Sequence, residues 1–282
     1  MTRTIGDAAW ADGRAESTRT REPSPGGTGG GLGGAIAAEW TKLWSVRSTW
    51  WSLLAGVVLM AATSLQLALY VANSNTNTDP TDDRGVVAVG QTAIGALELA
   101  EFAIVALAML MITSEYSAGT MRATLQWVPR RGRMLLAKVA VVVPVTFVLG
   151  TALGILGALV AKPVQGRWGS VPLPGTAGDA LAIGGYLALI AVFTLGLGAA
   201  LRSAVATLIT VFMIIEVVPT LFNVSHIAAV KRLADLMPAE AGQHFMLGDH
   251  SPYPAGVGLL LLAGWAVAAL IAGYAVLRRR DA

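Results

Sequence analysis

Six stretches of the chain are apolar over about the width of a bilayer, at 50–72, 87–113, 137–161, 180–201, 204–224 and 255–277, with polar or glycine-rich segments between them. About 20 helical residues cross a hydrocarbon core of roughly 30 Å, so each stretch is long enough to span. None alternates with a period of two over about ten residues, as an outer-membrane barrel strand does. The pattern predicts an all-α membrane protein with six transmembrane helices. Ahead of them, residues 36–49 read IAAEWTKLWSVRST. Ile36, Trp40, Leu43 and Trp44 fall on one helical stripe. Glu39, Lys42, Ser45 and Thr49 lie off it, and Glu39 and Lys42 are spaced to pair. This predicts an N-terminal amphipathic helix lying in the membrane interface, with its tryptophans at headgroup depth.

Residues 1–35 show no apolar period and run into the Pro- and Gly-rich segment 23–31. They predict a disordered cytoplasmic tail with a flexible linker, leaving 36–282 as the transmembrane domain. The basic residues of the tail lack the apolar core of a signal peptide. Gly29, Gly31 and Gly34 match a dinucleotide fingerprint in letters only, because no strand or βαβ unit surrounds them. In the connection 225–254, Ile227, Val230, Leu233, Ala234 and Met237 have helical spacing. They predict a short amphipathic helix on the outer surface that ends at Pro238, with Pro252 and Pro254 marking the entry to the last span.

The distribution of Lys and Arg gives the orientation. With the N-terminus inside, the cytoplasmic flanks hold eleven, among them Lys42, Arg47, Lys138 and Arg278, and the outer loops hold five. This bias predicts that both ends lie inside. Composition agrees with lipid as the solvent: hydrophobic residues make up 55% and charged residues 13%, about half the usual share of charge in a globular domain. The mild net charge of +3 gives no argument for a nucleic-acid partner. Absence of cysteine removes disulfides, thiolate metal sites and cysteine nucleophiles.

Tests for an enzyme are negative, and no catalytic residue is expected. The chain has neither a GxSxG elbow nor an HExxH helix. No aspartate lies within the six apolar stretches, which disfavours an aspartyl intramembrane protease. His226, His244 and His250 have no metal-ligand spacing, so no metal is expected. With no GxxxxGK[ST], any ATP would have to be handled by another polypeptide.

Three acids stand at membrane depth: Glu98 and Glu101, at i and i+3 in the second stretch, and Glu216 in the fifth. Each costs about 2.5–3.5 kcal/mol at a helix centre and is expected to face the bundle interior or a wet cavity. Two readings stand side by side: a polar substrate path or proton relay, and an internal hydrogen-bond network that locks helices together. No intramembrane cation offers an obvious partner. Pro144 and Pro219 predict kinks. Gly150-x-x-x-Gly154 permits close helix approach, in a chain with 32 glycines where such spacings also arise by chance.

Between the second and third stretches the chain reads SEYSAGTMRATLQWVPRRGR from Ser114 to Arg133 and runs on to Lys138. This resembles the cytoplasmic loop of ABC-2 type permeases, the membrane subunits of type-V-like bacterial ABC exporters. The shared pattern is a Glu-aromatic-x-x-Gly-Thr turn, Thr-Leu, Pro-x-Arg and a Lys opening the next span. The segment Glu39–Ser48 and the stretch Leu236–Gly242 also resemble that family. The resemblance covers about residues 36–280 and implies a permease subunit in a bacterial cytoplasmic membrane. It implies two partners besides the lipid bilayer: a second permease subunit, identical or related, and a separate ABC ATPase subunit. It also implies that ATP and magnesium sit on the ATPase, with no cofactor in this chain. Glu115, Tyr116, Gly119, Thr120, Glu39, Lys42 and Arg47 would couple to the ATPase. Arg130, Arg131 and Arg133 also fit anchors on anionic lipid. Glu98, Glu101 and Glu216 are candidates for the substrate path, although Glu98 and Glu101 stand outside the family pattern. Two alternatives remain: an ATP-independent or proton-coupled carrier using Glu98 and Glu101, and a membrane scaffold or immunity protein.

Overall fold

The interface segment and the first span are separate helices because Val46 adopts extended backbone (φ −94°, ψ 129°) between α1 (Leu32–Ser45) and α2 (Arg47–Ser74). The structure is a computed structural model that describes residues 31–117 and 131–279. The tail 1–30 and residues 118–130, with Gly119, Thr120, Arg122 and Arg130, lie outside the described residues. α3 (Val89–Gly95), α4 (Leu97–Ser117), α5 (Arg131–Gln165) and α6 (Leu173–Leu201) follow. Then come α7 (Ala204–Val224), α8 (Ala228–Ala234), α9 (Pro238–Leu247) and α10 (Ala255–Arg279). Among the described residues, six helices, α2, α4, α5, α6, α7 and α10, are long and apolar enough to cross a membrane. An even number of crossings leaves α1 and the end of α10 at the same end of the bundle, called here the α1 end. At the far end, Val87–Ala88 pairs in parallel with Gly169–Ser170.

Several boundaries differ from those expected. The second apolar stretch, 87–113, is divided into α3 and α4. Thr63 of α2 donates its hydroxyl to the Ala96 carbonyl at 2.7 Å, at the junction of the two. α5 has 35 residues, about 52 Å at 1.5 Å per residue, far more than a bilayer core. α6 starts at Leu173 rather than at 180 and so contains Asp179, which corrects the expectation that no span carries an aspartate. Met213–Val217 in α7 is a π turn just before Pro219. A π turn takes up the disruption that proline causes in a regular ladder. The outer connection forms two helices instead of one that ends at Pro238. Pro238 begins α9, where its missing N–H costs nothing.

α6 is the central helix. In its most apolar stretch 72% of residues are buried, against 22% in α2, α7 and α10. Small residues allow close approach on two sides of it. A Cβ on Gly150 would lie 2.9 Å from the Cα of Gly184, and one on Gly154 would lie 3.0 Å from the Cα of Ala180. The Gly150-x-x-x-Gly154 spacing therefore forms a real contact between α5 and α6. On the other side, a Cβ on Gly196 would lie 2.5 Å from the Ala269 carbonyl carbon of α10. Backbone cannot step aside as a side chain can. Gly196→Val is therefore expected to lower stability by at least the 1–3 kcal/mol typical of overpacking. Thermal unfolding in detergent reads this, and an unchanged midpoint would mean that the α6–α10 contact is not tight.

Candidate functional site

Two polar sites interrupt the apolar bundle, one at each end. At the α1 end, the buried residues of α1 are Ala35, Glu39 and Leu43, at i, i+4 and i+8. Trp40, expected on the apolar stripe, is exposed, and Glu39, expected off it, is buried. The reason is Lys138 in the first turns of α5, whose side chain is fully enclosed. Its ammonium donates to Glu39 Oε2 at 2.7 Å, Glu115 Oε1 at 2.8 Å and the Met111 carbonyl at 2.9 Å. Three acceptors satisfy its three donors. Lys42 donates to Glu39 Oε1 at 3.1 Å and Glu115 Oε1 at 2.9 Å from the half-exposed rim.

Among these four described side chains, two carboxylates face two ammonium groups. Isolated charges would not tolerate such burial, whereas paired and hydrogen-bonded ones do. Burial by itself would lower the pKa of Lys42, but Glu115 and Glu39 outweigh it and hold the ammonium above the ordinary lysine range. Lys42 therefore stays charged at neutral pH. The cluster joins α1, the end of α4 and the start of α5. Below it Leu43, Leu107, Val141 and Val145 pack together, so the charges sit on an apolar seat. A cavity of about 250 Å³ opens beside it, lined by Lys42, Thr49, Ser52, Met111 and Glu115 among others.

Three of the expected coupling residues, Glu39, Lys42 and Glu115, thus come together. Tyr116 points elsewhere, with the Arg202 guanidinium 5.3 Å from its ring centre. Arg47 is exposed at the start of α2, apart from the cluster. Gly119 and Thr120 lie outside the described residues. In the sequence Lys138 is a flanking cation and the Lys that opens the third span in the family pattern, without a partner assigned to it. The signal that could have singled it out was its position: the one cation inside the predicted third span, opposite two acids at the same depth.

Nearer the far end, Glu98 and Glu101 of α4 and Glu216 of α7 line one cavity of about 260 Å³ with Tyr186, Glu240 and Gln243. Glu101 is buried, and Tyr186 of α6 donates its hydroxyl to Glu101 Oε2 at 2.6 Å. Glu216 and Glu98 lie within electrostatic reach of Glu101. Glu216 falls within the π turn of α7, an irregularity often found at functional positions. Glu240 of α9 belongs to the rim, where Asn223 donates to its Oε1 at 2.7 Å. Tyr186 reaches the cavity because Gly242 of α9 makes room; a Cβ there would lie 2.2 Å from the ring. The three acids expected at membrane depth therefore meet, and Tyr186 and Glu240 join them. The one tyrosine in the apolar stretch 180–201 was a readable hint of the first.

Beyond the cavity, Tyr253 donates its hydroxyl to the Asp235 carbonyl. Burial pushes its phenol up to about 12, with Asp235 and Glu240 adding to the shift, so it stays a donor. His244 packs edge-on against Tyr253 with ring centres 5.1 Å apart. Among the described residues no group of three or more His, Cys, Asp or Glu is placed to hold a metal.

The family model described as ABC-2 family transporter protein matches residues 35–221, about two thirds of the chain. The match takes in α1, the buried charge cluster and every element of the acidic cavity except α9. No curated protein matches the chain.

Proposed function

The chain belongs to the ABC-2 family of transporter proteins and is a multi-pass permease component, and from that premise we propose that it is the membrane subunit of a type-V-like exporter in a bacterial cytoplasmic membrane. Both ends face the cytoplasm, in keeping with the bias of Lys and Arg toward the α1 end. Two permease subunits, identical or related, enclose the path, and a separate ABC ATPase binds ATP and magnesium. The observation that carries this reading is the buried cluster of Glu39, Lys42, Glu115 and Lys138. It ties the interface helix to the two spans that flank residues 118–130, the loop that resembles the family's docking segment. A push on that loop or on α1 passes through charge-assisted hydrogen bonds into α4 and α5 together. Glu115 and Glu39 then act as internal links rather than as surface contacts, and the ATPase meets the exposed face around them.

Glu115→Gln keeps the shape and removes the charge. The expected result is a complex that still assembles with its ATPase and hydrolyses ATP but no longer moves cargo. Normal ATP-driven export by this variant would remove the coupling role. The acidic cavity favours a second reading, a carrier driven by protons through Glu98 and Glu101. The two separate in proteoliposomes: the ABC reading requires transport to stop without the ATPase and to survive a protonophore, and the carrier reading requires the reverse.

A further inference from the structure

A groove of about 420 Å³ runs between α5 and α10 at the α1 end. Its walls are apolar: Leu136 and Val139 on one side, Val267 and Ile271 on the other. At its mouth Tyr274 lies against Gly132, where a Cβ would come within 3.3 Å of the ring. The Arg278 guanidinium sits 5.8 Å from the Tyr274 ring centre. Arg133 follows Gly132 directly, Arg279 follows Arg278, and all three arginines are exposed. Among the described residues no carboxylate pairs with any of them, whereas Lys42 and Lys138 at the same end are both paired.

We infer that this groove is a binding site for an anionic phospholipid. One acyl chain lies along Leu136, Val139 and Ile271, the phosphate meets the Arg278 guanidinium beside Tyr274, and Arg133 and Arg279, one residue on from Gly132 and Arg278, add positive charge at the same end. Guanidinium groups match phosphate oxygens in charge and geometry, and basic pockets between spanning helices on the cytoplasmic side suit anionic headgroups. Tyr274 takes the interfacial position that its ring and hydroxyl favour. Charge also argues against a second copy of the chain. A two-fold contact centred on the groove would bring the same three arginines face to face. The inference goes beyond the transport reading and uses only its orientation, which puts the mouth in the cytoplasmic leaflet.

The test uses the full chain in neutral detergent, titrated with phosphatidylglycerol or phosphatidylcholine of the same acyl chains and followed by native mass spectrometry. Binding of phosphatidylglycerol should be about 10-fold tighter or more, given the contribution of each near-surface cation. Arg133→Gln, Arg278→Gln and Arg279→Gln combined should abolish that preference, and the matching triple Lys variant, which keeps the charge, should restore most of it. Ile271→Trp fills the groove with the arginines intact and should weaken phosphatidylglycerol binding several-fold. Glycerol phosphate, a headgroup without chains, should not compete. Equal binding of the two lipids overturns the site, as does a preference that survives the triple Gln variant. Unchanged binding by Ile271→Trp reduces it to a surface patch. The chain has no cysteine, so Ile271→Cys gives a clean control, and its crosslinking between two copies in a membrane would favour a second copy as the occupant. None of these readouts involves ATP or transport, so the site stands or falls separately from the exporter reading.

Discussion

Lys138→Met is expected to lower stability by about 3–5 kcal/mol, the usual loss when one partner of a buried ion pair is removed. The variant takes a fully enclosed ammonium away from the Glu39 and Glu115 carboxylates, both nearly enclosed themselves. It also removes the hydrogen bond that Lys138 donates to the Met111 carbonyl. For a chain of this length the melting midpoint should fall by on the order of 10 °C, read by thermal unfolding of the purified protein in detergent. A midpoint within a degree or two of the parent would show that the cluster does not hold α1 to the bundle.

A second variant separates stability from coupling. Glu39→Leu, Glu115→Leu and Lys138→Met together remove the buried charges and leave apolar groups of similar size. Such replacements are often neutral or stabilising, because the desolvation cost disappears along with the attraction. The combined variant should therefore regain most of the lost stability. If the cluster transmits motion, transport should still be lost, since the directional hydrogen bonds are gone. Recovery of both stability and transport would reduce the cluster to a structural staple.

The spans were legible because hydrophobic length alone decides them. Ala204–Val224 was read to the residue, and α10 to within two at its end. The break between α3 and α4 was not legible, because the partner of the Ala96 carbonyl is Thr63, 33 positions earlier. The face of α1 was misread for a similar reason. Hydropathy puts Trp40 inside and Glu39 outside, but in lipid an exposed tryptophan costs little, while a carboxylate with a dedicated ammonium partner can be buried. That partner, Lys138, lies 99 positions away. Local patterns thus found the helices and the acids, and the pairs that give those acids their roles came from contacts between distant segments. Pro238 shows the local limit: proline marks a boundary, but either the end of one helix or the start of the next fits the same letter.

Glu101 carries the other large expected effect, and two substitutions distinguish a lock between helices from a lining of the path. Tyr186 is buried and donates to Glu101. Glu101→Leu strands that hydroxyl, and an unpaired buried donor costs about 1–3 kcal/mol, so the melting midpoint should drop measurably. Glu101→Gln keeps an acceptor for Tyr186 and should melt close to the parent. The path reading requires Glu101→Gln to transport poorly despite its stability, because the ionisable oxygen facing Glu98 and Glu216 is lost. Parent-like transport by Glu101→Gln, together with early melting of Glu101→Leu, would make the carboxyl group a hydrogen-bond acceptor between α4 and α6 and nothing more. The cavity would then owe its acidity to Glu98, Glu216 and Glu240, the three that stand nearer its opening. The same pair of measurements on Glu216→Gln and Glu216→Leu, in the π turn of α7, would then show whether the path lies between α4 and α7.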